Sequence, residues 1–496
     1  MNPAHPRVSM VLQQFPAMSL VFLLTCLVGC GGSGSGMQPN PNPQPGAMTT
    51  VNVLLTSTAN DQLADFHIEV TGLTLTNKAG QSVTVLNNPN AANDVLVGFE
   101  FMHLNGAFAP LVSATIPQDT YSSATVTVAR CQFANVSVAP SGGLLTAYFA
   151  QGLCSQGTGL TTVNLPLPII VSGGSAVLSL DLQVSQSYTL TTTQGINGPT
   201  QSYTISPVFI LSPLSISAQA ASGFVTGLDL RLASLSAAGN SFVATTPNGS
   251  SLNLATNATT AYQGVSGLSS ITVGTLVDLD AAIQPDGSLL ARRVQVNDSA
   301  ALAEFVGPWT FTNGQPGQFV ILPNDCFPLP DIVVCDSAVQ AISGAAFSVS
   351  GEFGNLQDLP FVPAFGASSL VLGQNFSSFS LGARTPQGIP LATAIALRPQ
   401  TINGTVTNIS SSSGFSIYTV SLAAYDLFPT VQAAAGPVAQ NLASPSTITV
   451  YADANTQLLT TDSIGVGSLV RFRGAIFNDN GVLRMDCQKI LDGVSE

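Results

Sequence analysis

Apolar and polar residues alternate in one segment after another of this chain. In FHIEVTGLTLTN, Phe66, Ile68 and Val70 are separated by polar neighbours, and SAVLSLDLQ has the same period further on. A period of two gives a β-strand one apolar and one polar face. Clusters of Gly, Pro and Asn separate the segments, and amphipathic helical stretches with a coat of Lys and Glu are scarce. The sequence therefore predicts an all-β protein.

The charge composition limits both the interior and the partners. Only 7% of the 496 residues are charged and 45% are hydrophobic, so the chain is not a charged disordered polymer and must bury a large core. Its 25 acidic and 12 basic residues give a formal net charge of −13. Such a surface repels phosphates, which excludes nucleic acid as a partner.

The first thirty residues have the pattern of a secretory signal. Arg7 precedes an apolar run over residues 18–28 that stops just before Cys30. This run is shorter than the roughly 20 apolar residues that a membrane-spanning helix needs, which favours cleavage. The last four residues of the segment resemble the bacterial lipobox: Leu27, Val28, Gly29 and Cys30.

The lipobox resemblance implies a diacylglycerol on Cys30 and cleavage before it, leaving residues 1–29 as a lipoprotein signal peptide. The lipid would then make the membrane a partner of the mature chain. Residues 30–48, rich in Gly, Ser, Pro and Asn, are predicted to be a flexible tether. Gly31, not Asp, follows the cysteine, which by the resemblance favours the outer membrane of the cell envelope, at its periplasmic face or the cell surface. The alternative is an ordinary signal peptide and a freely secreted protein.

Residues 49–217 contain seven or more short alternating segments, which predict an antiparallel β-sandwich. The order of their motifs resembles a domain-of-unknown-function family of bacterial envelope lipoproteins. The opening strand departs from that family, because residues 57–59 are Ser-Thr-Ala where an Asp-Ala-Pro-like turn is usual. The matching positions are Val51, Val53, Leu55, Thr56, Ile68 to Leu75, Ile116, Pro117, Tyr121, Leu178 to Leu182 and Tyr203 to Val208.

The rest of the chain repeats a pattern of Gly, a small or apolar residue four positions on, and an aliphatic residue five further on. The repeats predict modules at 222–300, 301–400 and 401–496, the middle one divergent. The pattern resembles a second uncharacterised bacterial family of small OB-like β-barrels found in tandem, which implies three such barrels. The marker residues are Gly287, Ala291 and Val296, then Gly388, Ala392 and Leu397, then Gly481, Met485 and Ile490.

Five cysteines remain after the signal and the lipidated residue. In an oxidising envelope we expect a bridge between Cys131 and Cys154 and another between Cys326 and Cys335, which leaves Cys487 unpaired. The alternative is that these are buried free thiols, because free Cys behaves as a small hydrophobe. No CxxC motif occurs, so a zinc site is not expected.

Residues with catalytic or ligating chemistry are few. His67 alternates with Asp65 and Glu69 on one strand face, and we interpret this as a solvated face; His103, near Glu100, is interpreted as structural. No G-x-S-x-G motif is accompanied by a plausible His and acid, so we expect no catalytic residue and no enzyme activity. The sequences QPDG (284–287) and NDNG (478–481) are predicted to be hairpin turns, not calcium sites, and no cofactor or metal is expected.

OB barrels often bind oligosaccharides through stacking rings. The sequence favours a non-enzymatic envelope protein that scaffolds, adheres or binds an envelope protein or a glycan. The alternative is an extracytoplasmic carbohydrate- or small-solute-binding lipoprotein, which requires aromatic side chains clustered in one module. The obvious stacking candidates, which we interpret as core residues, are Trp309, Tyr262, Tyr418 and Tyr425.

Replacement of Cys30 by Ala tests the anchor. In a Gram-negative host, the wild-type chain should lack residues 1–29, carry acyl mass and pellet with membranes, because the cysteine sulfur is the lipid attachment point. The Cys30→Ala chain should lack the acyl mass. Intact-mass spectrometry and membrane fractionation measure both. A wild-type chain that is soluble and unacylated would show that the lipobox assignment is wrong.

Overall fold

The computed structural model describes part of the chain, from residue 42 onward. The chain divides into two compact units, 1–39 and 40–496, and every described residue belongs to the second. The signal segment, the lipobox and most of the tether therefore lie outside the described residues. The description omits residues 59–62, 89–98, 105–107, 136–158, 196–197, 215–223, 247–248, 285, 297–302, 312–316, 322–324, 328–337, 351–352, 354–355, 425, 436–441, 459–462 and 494–496.

The first module is a pair of sheets with one core between them. Its strands are β1 Met48–Ser57, β2 Leu63–Asn77, β3 Ser82–Asn87, β4 Phe99–Glu100, β5 Ala109–Pro117, β6 Asp119–Asn135, β7 Gly159–Val163, β8 Ile169–Val171, β9 Ser175–Leu182, β10 Tyr188–Gly195, β11 Gly198–Ile205 and β12 Phe209–Pro213. The first sheet has the order β12-β9-β1-β5, and the second contains β3-β2-β6-β7 with β4 on β2 and β8 on β6. Strands β10 and β11 form a separate two-stranded ribbon.

The first sheet differs from the predicted purely antiparallel arrangement. Strand β9 runs parallel to β1, from Thr50 opposite Ser175 to Ser57 opposite Leu182. A parallel pair needs a crossover connection, and the whole second sheet lies between these two strands in the sequence. Turn residues and alternation locate the strands in the sequence, but they do not show which strands pair. The parallel pairing of β1 with β9 could therefore not be predicted.

Three barrels follow the sandwich. Barrel 1 contains β13 Phe224–Leu235, β14 Ser241–Thr245, β15 Ser251–Ala255, β16 Ala261–Gln263, β17 Leu276–Ile283 and β18 Leu289–Gln295. Barrel 2 contains β19 Ala303–Phe311, β20 Gln318–Ile321, β21 Asp325–Phe327, β22 Ala338–Val349, β23 Asn375–Arg384 and β24 Pro390–Leu397. Barrel 3 contains β25 Gln400–Ser412, β26 Phe415–Leu422, the helix α1 Leu427–Ala435, β27 Thr447–Leu458, β28 Leu469–Asp479 and β29 Val482–Asp492.

All three barrels close in the same way. A parallel pairing joins β15 to β18, β22 to β24 and β27 to β29, while the remaining ladder pairs of each five-stranded ring are antiparallel. Strands β16 and β21 are additional. The predicted all-β fold with tandem small barrels is therefore confirmed.

The repeated glycine marks the turn before the last strand of each barrel. Gly287, Gly388 and Gly481 have φ angles of +81°, +86° and +89°, a region that glycine occupies without steric cost. The other residues of the motif are nearly inaccessible to solvent. Five of them belong to the barrel cores, Ala291, Val296, Ala392, Met485 and Ile490, whereas Leu397 packs with Phe361 and Phe477.

A second glycine recurs in all three barrels at the start of the fourth ring strand. Gly274 and Gly467 are evident in the sequence, and Gly373 is the equivalent residue of the divergent middle module. The φ angles of Gly274, Gly467 and Gly373 are +94°, +93° and +98°. Each donates its N–H to the first strand, at Leu232, Val406 and Trp309, and each of those residues donates back to the residue after the glycine. The middle module is thus a full member of the repeat.

Candidate functional site at the joins between modules

The outer face of the first sheet is buried against barrel 1. In β1, Val51, Val53 and Leu55 point into the sandwich core, while Leu54, on the opposite face, belongs to the core of barrel 1. Phe108 and Val177 join Leu54 there, packed with the barrel strands. Burial on both faces explains why the sequence VNVLL reads as a nearly continuous apolar run.

One polar residue completes this first join. Asn52 is 3% exposed, and its Nδ2 donates to the carbonyl oxygen of Gly287 at 2.7 Å. Its Oδ1 accepts a hydrogen bond from the Ser113 hydroxyl at 2.5 Å. An added Cβ at Gly287 would lie 3.1 Å from the backbone at Ser175 and Ala176. The glycine turn of barrel 1 therefore fits directly onto the sandwich.

Arg398 forms the second join, between barrels 1 and 2. This residue follows β24 of barrel 2, and its Nη2 lies 2.7 Å from Asp278 Oδ2 in β17 of barrel 1. The same Nη2 lies 2.7 Å from Glu304 Oε1 in β19 of barrel 2. The guanidinium also donates to the Ser377 hydroxyl. All three charged side chains are 2% exposed, so two barrels share one buried ionic cluster.

The strand pattern places Asp278 at this join. Val277 and Leu279 point into barrel 1, so Asp278 between them faces outward. Asp280 continues that outer face and is paired with Arg293 of β18, with Asp280 Oδ2 2.7 Å from Arg293 Nε. Arg293 Nη1 in turn donates to Gln295 Oε1 at 2.6 Å. A polar outer face that would meet water on an isolated barrel is buried here.

Aromatic side chains form part of the third join, between barrels 2 and 3. Phe361, from the connection between β22 and β23, packs on Tyr451 and Phe477 of barrel 3, with ring centroids 5.1 and 5.8 Å apart. The Arg484 guanidinium lies 5.5 Å from the Phe361 centroid, in the range of a cation–π contact, and its Nε is 2.6 Å from Asp479 Oδ2. This join is mainly apolar.

The helix α1 completes the third join. Asp426 caps its first turn, accepting a hydrogen bond from the Phe428 N–H at 2.9 Å. Phe428 belongs to the core of barrel 3, whereas Val431, one turn on, belongs to the core of barrel 2. The Phe428 ring lies 2.5 Å from the position that a Cβ on Gly373 would occupy. The helix is therefore shared between two barrels.

Two partly buried carboxyl groups have a raised pKa. Burial, together with the negative charge of Asp453, raises the pKa of Asp486, in β29 of barrel 3, to about 6. Burial likewise raises the pKa of Asp181 in β9 to about 6, although a hydrogen bond from Gln183 opposes this shift. Asp181 and Asp486 thus make folding dependent on pH in the mildly acidic range.

The predicted solvated face at His67 is wrong. His67 is 5% exposed and Glu69 2% exposed, although both point away from the sandwich core that holds Phe66 and Ile68. Alternation shows that the strand has a second face, but it does not show whether other segments of the protein cover that face. The strand register places Glu100 opposite His67, while the side chains of Asp65, Glu100 and His103 lie outside the described set.

The cysteine predictions are tested only in part. Cys131 is disulfide-bonded, and its pairing with Cys154 stays a prediction because residue 154 lies outside the described residues. Cys335 and the side chain of Cys326 lie outside them as well. Cys487 is a free, buried thiol whose pKa is raised by burial. A thiol with a raised pKa is poorly nucleophilic. Cys487 packs in the core of barrel 3, and we interpret it as a structural residue.

The ring side chains considered for sugar stacking are packed in separate modules. Trp309 is 9% exposed in the core of barrel 2, edge-on to Phe319 at 5.3 Å between centroids. Tyr262 packs against the core of barrel 1 and Tyr418 against that of barrel 3, and Tyr425 lies outside the described residues. The three described rings therefore do not form a common binding surface.

In the described part of the chain, no group of three or more His, Cys, Asp or Glu side chains is close enough to hold a metal ion. Among the same residues, no helix has the length and apolar character needed to cross a bilayer.

Comparison with known proteins identifies one module. Residues 223–295 match the family described as "Domain of unknown function (DUF5666)", and these residues are the strands of barrel 1. No curated protein matches the chain. The similarity agrees with the expectation that an uncharacterised domain occupies this part of the chain, and it extends to 73 residues, 223 through 295.

Replacement of Arg398 by Met tests the second join. The substitution removes the cation and leaves Asp278 and Glu304 buried without it, which costs about 3–5 kcal/mol. We expect a clear fall in the urea midpoint, and partial recovery when Asp278→Asn and Glu304→Gln are added. Arg384→Met, at an exposed arginine of the same barrel, is the control and should change the midpoint little. Equal midpoints for the two arginine variants would contradict the assigned role.

Replacement of Asp486 by Asn tests the raised pKa of this partly buried carboxyl group. Its folded pKa, about 6, lies above the value near 3.9 of an unfolded Asp, so its favourable contribution is complete below about pH 4 and is lost as pH rises through 6. The variant should therefore be more stable than the wild type at pH 7.5, by on the order of 1–2 kcal/mol after screening, and not at pH 4. Thermal melts across this range measure it.

Asp286→Asn is the matched control, because hydrogen bonds from Ser288 lower the pKa of Asp286. At neutral pH, the Asp286→Asn variant should therefore be less stable than the wild type. A gain for Asp286→Asn equal to that for Asp486→Asn would rule out burial as the cause.

Proposed function

We propose that this protein is a lipid-anchored cell-envelope protein whose β modules form a fixed, non-enzymatic scaffold for a partner. The observation that carries the proposal is the buried ionic cluster of Arg398, Asp278 and Glu304, which ties two modules together. A chain that needed only to string independent domains together could leave these outer faces in water. Burying them holds binding surfaces on different modules at set distances from one another.

The lipobox-like sequence supports a position at the membrane. A chain tethered through Cys30 by the segment 30–48 would hold the modules outside the bilayer, in the oxidising compartment where the disulfide at Cys131 persists. We place it at the outer membrane, with an envelope protein or a glycan as partner. The acidic surface of the chain favours partners that carry few negative charges.

The alternative, a lipoprotein that captures a sugar or small solute, has less support. It requires stacking rings close together in one module, and the described candidates Trp309, Tyr262 and Tyr418 are packed in three different barrels. Fold alone does not decide between the two functions, since β-barrels serve many roles.

Thermal shift separates the two functions. A solute bound at 100 times its Kd stabilises the folded chain by about 2.7 kcal/mol, which is a shift of several degrees. For a scaffold we expect no shift above the noise with monosaccharides and amino acids at millimolar concentration. A reproducible, saturable shift with one of these solutes, lost on replacement of residues lining its site, would establish the solute-binding alternative instead.

A further inference from the structure

Two large apolar side chains are exposed where β7 leads into β8. Leu167, in the connection, has a proline on each side and is 73% exposed. Ile170 in β8 is also exposed, and because its neighbours Ile169 and Val171 belong to the sandwich core, it faces away from that core. A residue before proline takes an extended backbone, which favours an outward position of the Leu167 side chain. We call Leu167 and Ile170 the apolar projection.

The apolar projection lies at the end of the sandwich where the chain enters from the predicted tether. In the ladder between β6 and β8, Ile170 is opposite Thr120. The Gln118 side chain, two residues earlier, donates to the Gly173 carbonyl oxygen at 2.8 Å and accepts a hydrogen bond from the Gln44 N–H at 2.9 Å. The entering chain is therefore fixed to the same end of the sandwich that exposes the apolar projection.

The chain length between the lipid and this end of the sandwich is short. The 14 residues from Cys30 to Gln44 span at most about 50 Å when fully extended, and a flexible chain of this length has a root-mean-square span of about 20 Å. A lipid on Cys30 would therefore keep this end of the sandwich beside the bilayer. The tether would give the apolar projection a high effective concentration at the lipid surface.

We propose that the apolar projection docks on the bilayer that holds the lipid anchor, with both side chains between the headgroups and the acyl chains. This inference rests on the anchor of the proposed function. Single exposed apolar side chains are common on proteins, so the position beside the tether is the observation that selects a lipid surface as the partner. Residues 132–180 contain no charged residue, so β8 and the preceding connection can enter the interface without desolvating a charge.

The charged groups at this end of the sandwich favour a lipid surface as well. Lys78 is exposed in the turn between β2 and β3, where lipid phosphates could reach it. The neighbouring Asn77 donates from Nδ2 to Asp119 Oδ2 at 2.7 Å, and Asp119 Oδ1 accepts a hydrogen bond from the Thr120 N–H at 2.7 Å. The carboxylate is thus bonded within the protein, whereas the cation is exposed.

Tryptophan fluorescence tests the docking. The chain contains one tryptophan, Trp309 in the core of barrel 2, so a tryptophan added at the surface is readily distinguished. Leu167→Trp and Val466→Trp are made singly in the full chain, produced in a Gram-negative host and reconstituted into phosphatidylcholine vesicles with or without bromine on the acyl chains. Val466, 68% exposed in the connection before β28 of barrel 3, is the matched control. We expect bromine to quench Leu167→Trp at least about twofold more strongly, since docked apolar groups reach about 5–10 Å into the interface.

Intact mass separates failure of the docking from failure of the anchor. An acylated chain with equal quenching at 167 and 466 would overturn the docking and leave the anchor intact. A chain without acyl mass would overturn the anchor and, with it, the docking.

Charge insertion provides a second test. Ile170→Asp, added to the Leu167→Trp chain, should lower the bromine quenching to the level of Val466→Trp, because a carboxylate is costly to remove from water. Val482→Asp, at an exposed valine of barrel 3, adds the same charge away from the apolar projection and should leave the quenching unchanged. Thermal midpoints confirm that both variants are folded. Quenching that persists with Ile170→Asp would contradict docking through the apolar projection.

Discussion

In this chain the neighbouring module covers outward strand faces, so the charged side chains that are buried there must be paired. Arg398 shows the constraint most clearly, because its guanidinium is paired with one carboxylate of barrel 1 and one of barrel 2 where neither is accessible to water. A buried cation without both partners is strongly unfavourable, so the two barrels are coupled through it. Buried apolar contacts couple the modules at the other two joins: Leu54 joins the sandwich to barrel 1, and Phe361 joins barrel 2 to barrel 3.

Several features of the fold follow from the sequence for simple physical reasons. Positive φ at Gly287, Gly388 and Gly481 permits the turn before the last strand, and the period of two places Ala291 and Met485 inside their barrels. These are local requirements, so the residues reveal them without knowledge of the tertiary contacts. The all-β class and the tandem barrels could therefore be predicted.

The joins could not be predicted because their partners are distant in the sequence. Arg398 lies 94 residues from Glu304, and Asn52 lies 235 residues from Gly287. Alternation puts Asp278 on an outer face and His67 on a face away from the sandwich core. It does not show that other segments of the same protein cover these faces. In a chain with only 7% charged residues, an Asp between the two core positions Val277 and Leu279 was the available signal.

The central claim is that the modules keep one mutual arrangement, and a distance measurement between spin labels tests it most directly. Labels are placed at Lys78→Cys, in the exposed turn between β2 and β3, and at Ser412→Cys, in the exposed end of β25. The buried joins predict one narrow distance distribution by double electron–electron resonance, broadened by Arg398→Met. A broad or multi-peaked distribution in the chain with intact joins would show that the modules move independently, and it would contradict the account.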